Sequence, residues 1–297
     1  MESIVKGYSL EPNTTPNLFT EACVGNNMES EIGDIRDLNQ ISKSMLDFNP
    51  DVLIHMAAQP LVRYSYKNPI ETYSTNVMGT VNVLESARKC SNLKSIVSLT
   101  TDKCYENTGI KTGYKEYDPM GGHDPYSSSK GCAELVTSAY RRSFFSSKHT
   151  ASLASARAGN VIGGGDWAND RLIPDILRAF EKSEPVIIRN PLSTRPWQHV
   201  LEPLSGYLVL AQELFLNGDE FAEGWNFGPK YEGCKPVSWI LDRMVDNWGS
   251  GASWKLDKKN NPHEADFLKL DCSKAANRLK WQPKWELGET LKMIVDW

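Results

Sequence analysis

Residues Ser95 to Lys130, SIVSLTTDKCYENTGIKTGYKEYDPMGGHDPYSSSK, constrain the fold more than any other stretch of the chain. An apolar run, Ile96, Val97 and Leu99, stops at the polar cluster Thr100, Thr101, Asp102 and Lys103, and Pro125 then opens a helix carrying Tyr126 and Lys130. In open α/β sheets, ligands sit outside the carboxyl ends of the strands, where the loops converge. Tyr126 and Lys130 are one helical turn apart and leave the same face. An ammonium close to a phenol favours the phenolate, lowering its pKa toward the working range of a general base. Tyr-x-x-x-Lys alone is a weak signal, because both residues recur at helical spacing on solvated faces. The loaded strand tip in front of it gives it weight.

The rest of the chain alternates in the same way. Ser3 to Leu10 and Met28 to Asp37 predict strands, and Leu38 to Phe48 a helix stopped by Asn49-Pro50. Asp51 to Gln59 predicts a buried strand running into Ala57 and Ala58, which either admit a flat ligand or serve tight packing. Ile70, Tyr73, Val77, Val81 and Leu84 recur at helical spacing and predict one long amphipathic helix from Ile70 to Arg88, and a second runs from Pro125 to about Phe144. Ala151 to Arg157 predicts a strand. Gly163, Gly164 and Gly165 then read as a flexible turn, or as a phosphate nest that does not lead directly into a helix. Further on come a helix over Arg171 to Phe180, a strand over Pro185 to Arg189, a loop holding Arg195, Trp197, Gln198 and His199, and a helix over Pro203 to Leu216. GWNFG and FLKLD read as strands, with helices near Val237 to Trp248 and Ser273 to Leu279. This alternation predicts an α/β protein with a doubly wound parallel sheet. All nine tryptophans lie beyond residue 160, which places a lobe boundary between residues 1–165 and 166–297, with elements of the second half returning to the first lobe.

Composition narrows the function classes. A net charge of −4 without a polybasic block gives no attraction to nucleic acid or to anionic lipid. No apolar run approaches the roughly 20 residues that span a bilayer, and the first residues lack a signal-peptide pattern. The six cysteines are scattered without metal-ligand spacing, as reduced thiols in a cytoplasmic protein would be, and no metal is expected.

GDIRD, HMAAQPLVR, YSTNVMGTVNVLE, TTDKCY, GGHDPYSSSKGCAE, RAGNVIGGGDW, NPLSTRPWQHV, GWNFGP and LKLDCSKA together resemble the CDP-glucose 4,6-dehydratases, a branch of the extended short-chain dehydrogenase/reductases. The resemblance implies a Rossmann-like fold, NAD as cofactor and CDP-glucose as substrate. It also implies C4 oxidation, loss of water across C5 and C6, and return of the hydride to C6. Tyr126 would accept the C4 hydroxyl proton, Lys130 would lower the pKa of Tyr126 and hold the nicotinamide ribose, and Thr101 would hydrogen-bond the reacting oxygen. Asp102 would protonate the departing C6 hydroxyl. Lys103 stands where dTDP-glucose dehydratases carry Glu; it is either a neutral C5 base or an electrostatic stabiliser of the enolate.

For the cofactor, the resemblance implies Asp34 and Ile35 at the adenine, Ala57, Ala58 and Gln59 along the pyrophosphate, and Thr75 and Thr100 near the ribose and nicotinamide, with Tyr126 and Lys130. For the nucleotide sugar it implies Asn160, Arg171, Arg195 and His263. It further implies a homodimer joined through the two long helices. The resemblance begins at the family's second strand, and no G-x-G-x-x-G is present. Two expectations follow: an active dehydratase, or a non-catalytic remnant that binds a nucleotide sugar or a partner subunit without productive NAD binding.

Overall fold

The computed structural model describes residues 3–146, 150–257 and 267–297. Its first half alternates strand and helix: β1 (Lys6–Ser9), α1 (Leu18–Glu21), β2 (Glu29–Ile32), α2 (Leu38–Phe48), β3 (Val52–His55) and α3 (Val62–Lys67). Then come α4 (Pro69–Tyr73), α5 (Gly79–Ala87), β4 (Ser95–Leu99), α6 (Pro125–Phe144) and β5 (Ser152–Ala158). The second half holds β6 (Asn160–Ile162), α7 (Leu172–Glu181), β7 (Val186–Ile188), β8 (Thr194–His199), α8 (Leu201–Asn217) and β9 (Gly224–Phe227). It closes with β10 (Cys234–Pro236), α9 (Val237–Trp248), β11 (Trp254–Leu256) and α10 (Leu287–Asp296).

The central sheet has the order β3-β4-β5-β9, parallel throughout, with Ile96 beside Leu153 and Val97 beside Ala154. Strand periodicity explains its two covered faces. Ile96 and Leu153 point into one apolar cluster with Ile41 and Met45 of α2 and Val83 and Leu84 of α5. Val97 and Ala154 point the other way, into Tyr207, Leu210 and Leu214 of α8 and Trp225 and Phe227 of β9. A strand covered on both sides needs no polar face, which is why β4 and β5 are buried almost throughout. Fully burying a side chain such as Leu210 contributes about 1.5–3 kcal/mol.

β1 and β2 form a separate parallel pair, so the outer edge of β3 carries no strand partner among the described residues. The second half builds its own core from α7, α9, α10, β7 and Trp197 of β8. Among the described residues no helix is long and apolar enough to cross a membrane.

Four sequence expectations need correction. The helix from Ile70 is interrupted by a π-helical turn over Ser74–Met78. Arg195, Trp197, Gln198 and His199 lie in a strand, β8, clamped between β6 and β10, rather than in a loop. FLKLD makes only isolated bridges, Thr194 with Phe267 and Tyr114 with Leu270. Ser273 to Leu279 ends in a π-helical turn, Ala275–Leu279.

Candidate active site

β4 ends at Leu99 and the chain enters a tight turn, Asp102–Cys104, capped by Thr101, whose Oγ1 accepts from the Lys103 amide at 3.3 Å. Facing it, α6 opens on Asp124, which accepts from the Ser127 amide at 3.0 Å, with Pro125 in the first helical position. Gly131 lets the two approach: a Cβ there would lie 2.7 Å from the carbonyl oxygen of Gly121, a residue that itself bonds Cys104. Thr101, Asp102, Tyr126 and Lys130 are all buried as a result.

Thr101 stands between the acid and the phenol. Its hydroxyl donates to Asp102 Oδ1 at 2.9 Å, and it lies close enough to Tyr126 to pull the phenol pKa down. The other carboxylate oxygen, Asp102 Oδ2, is buried without a partner. Burial pushes the Asp102 carboxyl up to about 6 against the opposing influence of Lys103, Thr101 and Arg195. An acid with that pKa still holds its proton in roughly one molecule in ten at pH 7. The unpartnered oxygen marks where a substrate hydroxyl could take it.

Tyr126 and Lys130 leave one helical face as expected, but Lys130 Nζ donates to Leu99 O at 3.3 Å instead of to the phenol. Burial raises Tyr126 to about 12; the nearby Thr101 hydroxyl and the charge of Arg171 act in the opposite direction. Burial also brings Lys130 down to about 8, while the charge of Glu134 holds it up. In this form of the protein, desolvation outweighs the expected ammonium–phenolate coupling.

Of the residues expected at the cofactor, Asp34 and Ile35 follow β2, Ala57, Ala58 and Gln59 follow β3, and Thr100 follows β4. Ala57 is half-buried against the same apolar cluster as Ile35. The loop of Ala57, Ala58 and Gln59 is braced from the π turn: Asn76 accepts from the Gln59 amide at 2.8 Å and donates to Gln59 O at 3.0 Å and to Ser129 Oγ at 2.8 Å. π turns inside helices recur at functional sites, and this one carries Thr75 half-buried beside Asn76. Asp34 is gripped by Arg36, whose side chain and amide hold its carboxyl below the usual range. Ile35, also expected at the adenine, has its side chain buried against Gly79 and Met45, and its carbonyl accepts from Asn82. Arg36, Lys67, Asn68, Ile70, Glu71 and Ser74 border an open cleft of about 470 Å³, a size in the range of small-molecule sites.

The expected substrate residues also converge in part. Arg195 is buried in β8, and its charge reaches Asp102; Arg171, at the start of α7, reaches Tyr126 and is paired with Asp166 at 3.0 Å. Asn160 opens β6 beside Trp197. His263 lies outside the described residues. Sequence reading gave no role to Asn76, Glu134 or Arg157, although the first sits inside YSTNVMG and the second eight residues past Tyr126 on its helix.

The chain is similar to known proteins over nearly its whole length. The family model described as GDP-mannose 4,6 dehydratase matches residues 8–294. The CDP-glucose 4,6-dehydratase of Salmonella typhimurium is 60% identical over 301 residues, spanning 100% of this chain and 84% of that protein. Among solved structures, dTDP-glucose 4,6-dehydratase from Bacillus anthracis in complex with NAD superposes with a TM-score of 0.79 at 19% identity, over 99% of this chain and 87% of that one. UDP-glucuronic acid 4-epimerase from Bacillus cereus, in complex with UDP-glucuronic acid and NAD, reaches a TM-score of 0.83 at 20% identity, over 99% and 90%.

Proposed function

The chain belongs to the GDP-mannose 4,6-dehydratase family, and from that premise we propose that it converts CDP-D-glucose to CDP-4-keto-6-deoxy-D-glucose with NAD as cofactor. The observation that carries the dehydratase reading is Asp102: a buried acid, placed by Thr101 beside Tyr126, with one oxygen unpartnered. Transfer between C4 epimers needs a hydroxyl and a phenol at the reacting oxygen; expelling a C6 hydroxyl needs a proton donor besides. The 60% identical relative supports the cytidine nucleotide.

Asp34, Ile35, Ala57, Ala58, Gln59, Thr75, Thr100, Tyr126 and Lys130 are the residues that would hold NAD. NAD held by these residues would supply the hydride acceptor for C4 and the hydride donor for C6. Tyr126 accepts the proton of the C4 hydroxyl, and Thr101 holds that oxygen. A C4 ketone acidifies C5, and Lys103, half-buried one residue after Asp102, supplies positive charge or a base at that carbon. Asp102 gives its proton to the leaving C6 oxygen. Arg171 and Arg195 pair with the diphosphate, where charge-assisted bonds contribute about 1.5–3 kcal/mol each, and Asn160 and His263 complete the nucleotide-sugar site. Residues 1–165 form mainly the cofactor lobe and 166–297 mainly the sugar-nucleotide lobe, with β9 returning to the first sheet. The chain works in the cytoplasm as a homodimer joined through the outer faces of α4, α5 and α6.

A second reading has one observation behind it. The open edge of β3 and the separate β1–β2 pair favour a chain that binds nucleotide sugar without turning it over. Incubating the purified chain with NAD and CDP-glucose separates the two. A product lighter by one water and carrying a ketone supports the enzyme; saturable binding of CDP-glucose without product supports the binder; a preference for dTDP-glucose overturns the substrate.

A further inference from the structure

The most completely buried charges outside the reacting groups are Glu134 on α6 and Arg157 on β5. Both Glu134 oxygens are occupied. Oε1 accepts from Arg157 Nε at 2.9 Å and from the Thr100 hydroxyl, and Oε2 accepts from Arg157 Nη2 at 2.8 Å and Ser155 Oγ at 2.7 Å. Arg157 Nη1 continues to Tyr105 OH at 2.6 Å and Glu116 O at 3.0 Å, and Tyr105 OH in turn bonds Asn226 of β9 at 2.7 Å. Burial alone would raise the Glu134 carboxyl; the Arg157 charge and the four hydrogen bonds outweigh it and leave the group below the usual carboxylate range. The pair stays charged.

Its location is specific. Glu134 is one turn beyond Lys130 and two beyond Tyr126 on the same helix face. It grips Thr100, the residue between Leu99, whose carbonyl accepts from Lys130, and Thr101, which lies beside Tyr126. We infer that the Glu134–Arg157 ion pair positions the reaction centre by clamping the tip of β4 onto α6 through Thr100, and that Glu134 additionally sets the charge felt by Lys130. The groups facing Lys130 are Glu134 on its own helix, Cys104 from the turn after β4 and His55 from β3. Those facing Glu134 are Arg157 from β5, Cys104, and Arg141 on its own helix. Glu134 supplies the main upward influence on Lys130.

The kinetic arm of the test rests on the dehydratase reading; the exchange arm does not. In Glu134→Gln, amides of residues 95–105 exchange with deuterium at least about tenfold faster, while β7 and β11 keep wild-type rates. In the same variant kcat falls at least about tenfold with KM changed less than about threefold, and the alkaline limb of the kcat profile moves to lower pH as Lys130 loses its supporting charge. Glu134→Asp lowers kcat through the shortened reach but leaves that limb in place. Thr100→Val, which cuts the clamp and leaves the ion pair intact, reproduces the faster exchange and so reads the clamp even where Glu134→Gln fails to fold. A pair that serves packing alone lowers the melting temperature uniformly, with normal local exchange in Thr100→Val and an unmoved limb in Glu134→Gln; that result overturns the inference. A wild-type chain without dehydratase activity removes the functional reading, and the exchange data still decide the clamp.

Discussion

Asp102 Oδ1 accepts the Thr101 hydroxyl at 2.9 Å, which leaves Oδ2 as the one oxygen of that carboxyl free of any bond to protein. Asp102→Asn keeps the shape and the Thr101 contact and removes the transferable proton. Oxidation at C4 persists and elimination slows by about 10²–10⁴, the usual contribution of a general acid. Stopped-flow absorbance should show reduced nicotinamide accumulating, and wild-type turnover of the variant would remove Asp102 from the acid role.

The same residue predicts a stability effect with a defined sign. Its pKa is raised on folding, to about 6, so the folded state binds the proton more tightly than the unfolded state. Its stabilising contribution is complete below about pH 4 and is lost as pH rises through about 6. Asp102→Asn therefore stabilises the protein by about 3 kcal/mol at pH 7. At pH 4 the gain shrinks. Urea unfolding at the two pH values measures the difference, and a gain that is larger at pH 4 contradicts the burial argument.

Tyr126→Phe removes the group that takes the first proton and leaves the packing of α6 in place. No reduced nicotinamide should form on mixing with CDP-glucose, whereas binding of the nucleotide sugar, read by calorimetry, stays within about threefold. Reduction at more than about a hundredth of the wild-type rate would mean that another group is the base.

Gly159 presses on the other side of the acid. A Cβ at this position would meet Pro196 Cγ at 2.4 Å, Pro196 O at 3.0 Å and Asp102 Oδ2 at 3.2 Å. Gly159→Ala should cost about 1–3 kcal/mol of stability as an overpacking change. It should also reduce elimination more than C4 oxidation, since the added methyl crowds the oxygen that holds the proton. Equal loss of both steps in the same stopped-flow traces would place the damage elsewhere.

Local pattern made part of this site legible and left another part hidden for identifiable reasons. α6 spans the residues that Pro125 and the helical spacing indicate, because those signals act within a turn or two of chain. Arg195 was misread as a loop residue because Pro196 and its polar neighbours suppress a strand signal, while β8 is held by pairing with β6 and β10 from distant segments. Glu134 and Arg157 are separated by 23 residues and meet only once β5 is laid beside β4. A buried carboxylate looks in sequence like a solvated helix residue. The π turn is likewise silent in sequence, since Ile70 to Leu84 keeps helical spacing across it.

The outer faces of α4, α5 and α6 carry the remaining prediction. Ile70 is 85% exposed, Leu135 61% and Met78 53%. Tyr73 OH bonds Ser128 Oγ at 3.1 Å, which joins α4 to the stripe of α6 on which Leu135 lies two turns further on. Exposed aliphatic side chains scattered singly are ordinary; the proposed homodimer would cover these. Leu135→Glu should weaken self-association at least about tenfold, because a carboxylate buried without a partner is disfavoured at an interface. Sedimentation equilibrium measures the dimer constant, and melting at low protein concentration shows whether the monomer is intact. A dimer constant unchanged in both Leu135→Glu and Ile70→Glu would place the interface on another face.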